Sequence, residues 1–340
     1  MPDGAAPVLD VRGLKTVFRT RGGEIHAVNS VSFHLQRGEV LGVVGESGSG
    51  KSVTMMSLIG LLPSPPAEVR EGSVMLGDRD LLKIGAEELR QVRGAKVGFV
   101  FQDPMTSLNP VFTVGMQIME PLREHMGMDK AQAEARALEL LELVGIPDAK
   151  KRLTSYPHQF SGGMRQRVMI AIALACDPDV LIADEPTTAL DVTIQAQILE
   201  LVKELRKKLG MAIIWITHDL GVIAAVADRV MVMYGGQVAE HGPVKDVFAD
   251  PRHPYTRALL KTIPSISGAR EARLQVIEGQ PPILNAHPTA CPFRARCVHK
   301  MPVCERENPV RRAVDAAPLG FGHDVACHWS PNLSAEGPHA

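Results

Sequence analysis

Val40-Leu-Gly-Val-Val-Gly-Glu-Ser-Gly-Ser-Gly-Lys-Ser52 is the most informative stretch of this 340-residue chain. It begins with a continuous apolar run, which is typical of a strand buried on both faces of a parallel sheet. The rest matches G-x-x-x-x-G-K-[ST], and the residues that follow place Met55, Leu58 and Ile59 on one face of a helix. A glycine-rich loop at a helix N-terminus turns backbone N–H groups toward a phosphate. The stretch therefore predicts an α/β chain with a phosphate-binding loop.

Within this loop, we expect Lys51 to contact the β- and γ-phosphates of a nucleotide and the Ser52 hydroxyl to ligate Mg²⁺. An ordinary glycine turn is the alternative, but it does not account for a Lys-Ser pair between a buried strand and a helix. The other loop positions expected to hold the nucleotide are Gly45, Ser47, Gly48, Ser49 and Gly50.

A second apolar run, Val180-Leu-Ile-Ala-Asp-Glu185, ends in two neighbouring carboxylates. Adjacent residues at a strand end point in different directions, so the two acids can serve different roles. We expect Asp184 to hold the metal ion, through water or through Ser52, and Glu185 to accept a proton from the water that attacks the γ-phosphate. Together with the phosphate loop, these carboxylates predict an enzyme that hydrolyses a nucleoside triphosphate.

The composition limits the partners and the location that we expect. Lys plus Arg number 37 against 38 for Asp plus Glu, so the net charge of -1 predicts no general attraction to nucleic acid. The first residues lack the basic and apolar regions of a secretory signal, and the longest apolar runs are far short of the roughly 20 residues that span a bilayer. We therefore expect a cytoplasmic chain whose membrane work is done through a partner.

The pattern of apolar residues predicts the arrangement of the chain. Val31–Leu35 alternates as a half-exposed antiparallel strand does, whereas Leu181–Ala183 and Ala212–Ile216 resemble buried parallel strands. The helical period dominates from about 104 to 176, with Asp129 and Gln132 as a capping box. Another helix is expected from about Val192 to Leu209. Prolines and cysteines are concentrated in the last quarter, so we predict one domain over 1–250, with a helical insertion at 104–176, and a loop-rich unit over 251–340.

Further motifs follow the phosphate loop in a specific order. Gln102 ends a strand, Ser161-Gly-Gly163 precedes a helix, Asp184-Glu185 ends the next strand, Asp191 follows, and His218 comes after the strand at Ala212–Ile216. In this order the chain resembles the nucleotide-binding subunits of ABC transporters. The resemblance covers about Leu9 to Gly242. It implies a P-loop NTPase fold of the ABC ATPase type, with an antiparallel β subdomain, a helical insertion and a small loop-rich C-terminal domain.

The resemblance also implies roles for residues outside the loop. Gln102 contacts Mg²⁺ and reports the nucleotide state to a partner, and His218 positions the γ-phosphate and the attacking water. Phe18 is the candidate for stacking on adenine, with a core position as the alternative. In such proteins two subunits close head to tail over two ATP molecules, and ATP held by the opposite subunit contacts the segment after Phe160. The positions implied to touch the γ-phosphate of that ATP are Ser161, Gly162 and Gly163, and Asp191 is a further nucleotide-binding position.

A finer resemblance is to the ATPases of dipeptide and oligopeptide importers. Phe101–Pro110, Tyr156–Phe160, Ala183–Gln197 and Arg252–Thr256 are similar to that subfamily's own sequence, so the match extends over nearly the whole chain. It implies two transmembrane permease subunits, a second ATPase subunit that is usually not identical, and an extracytoplasmic peptide-binding protein. It also implies a peripheral position on the cytoplasmic face of the plasma (inner) membrane. Nickel and glutathione importers use similar subunits, so they are alternative cargoes.

Four cysteines near the C-terminus, Cys291, Cys297, Cys304 and Cys327, form a second candidate site. Their spacing is too wide for a Cys-x-x-Cys zinc ribbon, and a reducing compartment disfavours disulfides. Four thiolates suit an iron–sulfur cluster or zinc, and unligated thiols are a third possibility. The resemblance favours a [4Fe–4S] cluster. Nearby arginines would then offset its negative charge; these are Arg294, Arg296 and Arg306.

A rival class is an ABC-type ATPase that acts on nucleic acid or ribosomes, since the same motifs would serve it. The single set of motifs, the near-zero net charge and the lack of a long coiled-coil insertion oppose this hypothesis. We therefore predict an ATPase that binds ATP and Mg²⁺, powers peptide import and binds no nucleic acid.

Overall fold

The computed structural model describes residues 6–188, 190–262, 277–315 and 317–329. The chain divides into two compact units. The first unit combines the residues up to Leu9 with Leu35–Val40 and Leu76–Thr217. The second combines Asp10–His34 and Leu41–Met75 with the residues from His218 onward.

Strands and helices alternate along much of the described chain. The β-strands are β1 Leu9–Thr20, β2 Gly23–Leu35, β3 Val40–Val44, β4 Ala67–Leu76, β5 Arg79–Asp80, β6 Val97–Val100, β7 Val180–Asp184, β8 Ala212–Ile216, β9 Arg229–Tyr234, β10 Gln237–Pro243, β11 Arg312–Ala313 and β12 Asp324–Val325. The α-helices are α1 Lys51–Leu58, α2 Ala86–Ala95, α3 Pro104–Ser107, α4 Val114–Met126, α5 Lys130–Leu143, α6 Ala149–Arg152, α7 Gly162–Ala173, α8 Val192–Leu209, α9 Leu220–Val226, α10 Val244–Ala249 and α11 Pro254–Lys261. Within the described ranges, no helix is both long enough and apolar enough to cross a bilayer.

Parallel strands form the core of the first unit. β6 pairs with β7, and β7 pairs with β8, with Val97 opposite Val180 and Val180 opposite Ala212. Every residue of β7 and β8 is buried, which explains their continuous apolar sequences. Gly98 lies where a Cβ atom would come within 2.2 Å of the Ala173 carbonyl oxygen, so the end of α7 packs directly on the strand backbone. The predicted parallel strands are confirmed.

Helices of the first unit begin and end where the sequence predicts. Asp129 caps α5 by accepting from the Gln132 N–H at 2.9 Å, and the Gln132 side chain accepts from the Asp129 N–H at 3.0 Å. This reciprocal pair is the predicted capping box. Helix α8 spans Val192–Leu209 and buries its apolar face, and five helices occupy the described residues between Pro104 and Ala173.

The second unit contains strands of both kinds. β3 pairs in parallel with β9, whereas β9, β10, β12 and β11 follow one another in antiparallel order. A separate antiparallel sheet places β1 between β2 and β4, and the predicted strand at Val31–Leu35 is the end of β2. These strands confirm the predicted combination of a parallel sheet and an antiparallel subdomain.

A network of buried polar groups links the C-terminal strands of the second unit to β9 and β10. The Arg229 guanidinium lies 3.1 Å from Nε2 of His34 and 2.6 Å from Nε2 of His241. On its other side, His241 Nδ1 lies 3.3 Å from the Asp324 carboxylate, and Arg311 Nε lies 3.1 Å from the same group. Burial, with a smaller contribution from the positive charge of Arg229, lowers the pKa of His34 and of His241 to about 4. These imidazoles are therefore neutral at pH 7.

A second buried group lies beside this network. Glu240 is fully buried on β10, and its carboxylate accepts from the backbone N–H groups of Arg252 and His253. His323 Nε2 lies 2.7 Å from the same carboxylate. His253 caps α11 by accepting from the Tyr255 N–H, and burial lowers the pKa of His253 to about 4. The segment after Pro302 is otherwise loop-rich in its described part, as its prolines predict.

Candidate functional site

The phosphate loop lies between the buried strand β3 and the N-terminus of α1. Gly45, Gly48 and Gly50 have positive φ angles of 153°, 78° and 95°, which favour glycine. A Cβ atom at Gly45 would come within 2.3 Å of the Met233 carbonyl oxygen, and one at Gly50 within 2.6 Å of the Ala27 carbonyl oxygen. Glycine is therefore required at both ends of the loop, for conformation and for space.

Lys51 is buried and turns back over the loop. Its Nζ atom donates to the carbonyl oxygens of Gly45, at 2.8 Å, and Glu46, at 3.0 Å. The loop leads directly into the N-terminus of α1, where the helix dipole favours an anion. The Ser49 hydroxyl is buried and has no hydrogen-bond partner within the described part of the chain. A cation, a helix N-terminus and an unsatisfied hydroxyl suit a phosphate anion.

Ser52 and Ser47 extend the same arrangement. Ser52 follows Lys51 in the first turn of α1 and is half-buried, whereas Ser47 and Gly48 are exposed at the tip of the loop. A serine hydroxyl at this point is an oxygen donor of the type that Mg²⁺ prefers. The predicted loop residues are thus all on one short segment of the second unit.

In the first unit, the two carboxylates at the end of β7, Asp184 and the following Glu185, lie in different surroundings. Asp184 ends the strand and is buried, whereas Glu185 is half-buried and has a φ angle of 46°, which is rare for a residue other than glycine. The left-handed backbone turns the Glu185 side chain away from the strand direction. Gln102 Nε2 donates to the Glu185 carboxylate at 3.3 Å, and Thr188 Oγ1 donates to the same oxygen at 2.9 Å. The fold therefore brings Gln102 and Glu185 together.

The Ser161-Gly-Gly163 segment forms the start of α7. The Ser161 hydroxyl caps the helix by accepting from the Met164 N–H at 3.3 Å, while Ser161 and Gly162 are exposed. A Cβ atom at Gly163 would lie 2.6 Å from Cγ2 of Ile194, which is in the first turn of α8. Asp191 caps α8 by accepting from the Ile194 N–H at 2.9 Å. Gly163 thus permits two helix N-termini to lie side by side.

Two predicted residues lie apart from these groups along the chain. His218 is exposed, two residues after the end of β8, and is followed by Asp219, which caps α9 by accepting from the Gly221 N–H at 2.8 Å. Phe18 is half-buried near the end of β1. Stacking of adenine on Phe18 and contact of His218 with the γ-phosphate stay predictions.

The prediction of a [4Fe–4S] cluster is not supported by the geometry of the cysteine region. No group of three or more His, Cys, Asp or Glu side chains in the described residues is arranged to hold a metal ion, although all four cysteines are described. Burial, reinforced by the neighbouring thiols, raises the pKa of Cys291 to about 11 and that of Cys327 to about 12. Both thiols are therefore neutral at pH 7 as the structure describes them.

The arginines that were expected to balance a cluster have other partners. Arg294 forms an ion pair with Glu305 at 2.9 Å, and Arg296 forms one with Glu46 at 2.6 Å. The four thiols are free rather than joined in disulfides. The four cysteines are therefore not arranged as a metal-binding group within the described residues, and the structure does not support the cluster.

Three features of the site define a P-loop ATPase of the cassette class. They are the glycine-rich phosphate loop, the pair of carboxylates at the end of a parallel strand, and the second helix that begins with glycines. Residues 28–188 match the sequence model described as ABC transporter. Residues 239–304 match the one described as Oligopeptide/dipeptide transporter, C-terminal region.

Curated relatives and solved structures agree with this class. The chain is 54% identical to the Dipeptide transport ATP-binding protein DppD of Bacillus subtilis over 97% of this chain and 96% of that protein. It is 52% identical to the Oligopeptide transport ATP-binding protein OppD of the same organism, over 91% and 86%. A post-hydrolysis state of the ATP-binding cassette MJ0796, described as dimeric and bound to ADP and Pi, is similar with a TM-score of 0.62 and 29% identity, over 69% of this chain and 98% of that one.

The chain belongs to the ABC transporter family, in its branch of dipeptide and oligopeptide transport ATP-binding proteins. The predicted family and fold class are confirmed.

Proposed function

We propose that this chain is the ATP-hydrolysing subunit that powers import of dipeptides or oligopeptides through partner permeases. The observation that carries the proposal is the phosphate loop of Gly45–Ser52, in a chain that is 54% identical over nearly its whole length to a dipeptide transport ATP-binding protein. The match of residues 239–304 to an oligopeptide and dipeptide transporter region supports the same cargo class.

ATP binding follows from the contacts of the loop. Lys51 donates to two loop carbonyl oxygens without nucleotide, and these are neutral acceptors. The β- and γ-phosphates are charged acceptors, so Lys51 exchanges the carbonyl contacts for stronger ones when ATP enters. Bound Mg²⁺ supplies positive charge to the β- and γ-phosphates; Ser52, Gln102 and Asp184 are the residues that would hold it.

Hydrolysis then depends on Glu185. Its carboxylate accepts the proton of the water that attacks the γ-phosphorus, as the bond to the β,γ-bridging oxygen breaks and ADP leaves. Gln102 and Thr188 orient the carboxylate by donating to the same one of its two oxygens. His218 is proposed to position that water and the γ-phosphate.

The exposed start of α7 supports a head-to-tail pair of ATPase subunits. Ser161 and Gly162 are exposed, and the glycine N–H groups in the first turn of α7 are of the kind that donate to an anion at a helix N-terminus. We place ATP of the opposite subunit there, beside Asp191 at the start of α8. A similar solved structure is described as dimeric. The second subunit is proposed to be a related, non-identical ATPase.

Apolar side chains exposed on both sides of Gln102 in the sequence support contact with the permeases. Phe101, Met105, Val111 and Met116 are between 41% and 71% exposed, although side chains of this size are usually buried. We propose that two transmembrane permease subunits cover them and that an extracytoplasmic peptide-binding protein acts through those permeases. The chain would then lie peripherally on the cytoplasmic face of the plasma membrane.

Two experiments test this function. Isolation of the chain from native membranes in mild detergent is expected to recover two multi-spanning permeases and a second ATPase in stoichiometric amounts. A partner set of ribosomal or nucleic-acid-binding proteins would contradict the proposal.

In the isolated complex, Glu185→Gln is expected to retain ATP binding and lose turnover, and Lys51→Ala to weaken binding itself. Glu200→Gln, on the exposed face of α8, is the matched control and should preserve both.

The four cysteines themselves take no part in these steps. The [4Fe–4S] cluster remains a separate proposal that rests on the resemblance alone, and anaerobic purification tests it directly. Iron and sulfide in stoichiometric amounts, with absorption near about 400 nm from thiolate-to-iron charge transfer, would support it. Their absence from active protein would rule it out.

A further inference from the structure

An arginine of the C-terminal cysteine region contacts the phosphate loop directly. Arg296 lies between Cys291 and Cys297, and its guanidinium forms a two-pronged ion pair with Glu46, the second residue of the loop. The distances are 2.6 Å from Nη1 to Oε2 and 2.9 Å from Nη2 to Oε1. The side chain of Arg296 is only 5% exposed, so solvent does little to weaken this pair.

The guanidinium is held rigidly on its other sides. Nε donates to the Glu278 carbonyl oxygen at 2.8 Å, and Nη2 donates to the Ile277 carbonyl oxygen at 3.0 Å. Nη1 also donates to the Tyr234 hydroxyl at 3.2 Å. All five N–H donors of Arg296 therefore have acceptors, a geometry that a lysine cannot reproduce.

Glu46 is held through its backbone as well. Its N–H donates to the Tyr255 hydroxyl at 2.8 Å, and its carbonyl oxygen accepts from Lys51 Nζ at 3.0 Å and from the Ser49 N–H at 3.1 Å. Burial raises the pKa of Tyr255, so the hydroxyl is neutral at pH 7. One loop residue thus connects the C-terminal region with the lysine that contacts phosphate.

We infer that Arg296 is a positioning residue for ATP binding: with Tyr255 it holds the phosphate loop in its binding conformation and neutralises the Glu46 carboxylate. The C-terminal region, rather than the loop alone, then sets the affinity for nucleotide. The inference rests on the proposed ATPase function. Loss of Arg296 has two consequences, because it loosens the loop and leaves an uncompensated negative charge in a segment that must bind a polyanion.

The charge argument predicts rescue by a second change. Arg296→Ala is expected to weaken Mg-ATP binding about tenfold, the factor that corresponds to about 1.4 kcal/mol. Glu46→Gln removes the stranded carboxylate, so the double variant should recover part of that loss. Arg294→Ala is the matched control, because Arg294 lies in the same region but pairs with Glu305 instead of the loop.

Equilibrium titration with Mg-ATP measures these affinities in the full-length chain, with Glu185→Gln present throughout to stop turnover. The steady-state rate with Glu185 intact supplies the second readout: KM should rise in Arg296→Ala while kcat changes little, because the hydrolytic residues are untouched. An unchanged dissociation constant in Arg296→Ala, or a double variant that binds more weakly than Arg296→Ala, would overturn the inference.

A third readout is independent of nucleotide and of transport. In the ATP-free chain, amide hydrogen exchange of residues 44–52 should become faster in Arg296→Ala and in Glu46→Gln, since each releases the loop, and remain unchanged in Arg294→Ala. Equal exchange in all variants would show that the ion pair does not hold the loop, whatever the chain transports. Recovery of permeases from membranes decides the transport function separately.

Discussion

Mild acid should destabilise the second unit strongly, because three of its buried histidines have a pKa well below the ordinary value. Burial lowers the pKa of His34, His241 and His253 from 6.5 to about 4. In the unfolded chain the imidazoles titrate at their ordinary value. Between about pH 6.5 and 4 the unfolded state therefore binds protons that the folded state does not, and stability falls as the pH falls through that window.

The magnitude follows from the two pKa values. Above pH 6.5 the imidazoles are neutral in both states, so the stability is fully present there. At pH 5.5 each histidine is largely protonated in the unfolded chain and neutral in the folded one, which costs about 1.2 kcal/mol relative to pH 7. Together, the three lower the free energy of unfolding by about 4 kcal/mol, a large part of the total stability of a domain.

Each unit has a fluorescent reporter for this measurement. The sequence has two tryptophans, Trp215 in β8 of the first unit and Trp329 in the second, where it stacks on His299. In a Trp215→Phe background, urea unfolding followed by Trp329 emission at pH 7 and pH 5.5 reports the second unit. His253→Asn keeps an acceptor for the Tyr255 N–H but does not titrate, so it should reduce the loss by about 1.2 kcal/mol.

Two results would refute this reasoning. One is a loss below about 1 kcal/mol between the two pH values, which would mean that the imidazoles protonate without unfolding. The other is a His253→Asn variant that loses as much stability as its parent. Either would show that the buried polar groups around β10 accommodate positive charge.

Three further predictions test the packing and the site. Asp324→Asn leaves the buried Arg311 cation without its carboxylate, so it should cost about 3–5 kcal/mol in the Trp329 experiment, and a loss of only a few tenths would contradict the role assigned to this group. Gly98→Ala forces a methyl group against backbone and should cost about 1–3 kcal/mol of first-unit stability, measured by Trp215 emission; a neutral result would mean that α7 shifts freely. Gly163→Ala pushes on Ile194 and should lower steady-state ATP hydrolysis on the order of ten- to a hundredfold with ATP affinity kept. If the affinity for ATP fell by the same factor, the substitution would have disturbed the phosphate loop instead of the start of α7.

Local patterns in the sequence were sufficient to predict most of the elements. The strand before the loop is β3, the helix after it is α1, and the helix predicted at Val192–Leu209 has those bounds in the structure. Asp129 and Gln132 form the expected capping box. In each case the signal lies within a few residues of the element, where backbone propensity and side-chain periodicity act.

Local sequence patterns did not predict the contacts between segments that are far apart in the chain. Nothing near Arg296 indicates that its partner is Glu46, 250 positions earlier, because that contact depends on where β9, β10 and α11 bring the C-terminal region. The same limit affected the cysteines: their clustering in sequence suggested a metal site, but within the described residues no three of them are arranged to hold a metal ion. The contact of Gln102 with Glu185 was not predicted either, although both residues follow neighbouring parallel strands.

The pairing of β12 with β10 has a consequence for the order in which the protein is made. β10 ends at Pro243, whereas β12 does not begin until Asp324. During synthesis from the N-terminus, β10 is made long before β12. The backbone N–H and C=O groups with which β10 pairs with β12 therefore stay unpaired until Val325 has left the ribosome. An open strand of this kind is a template for pairing with another molecule. Premature termination before Asp324 would therefore yield an aggregation-prone product, not a smaller working ATPase.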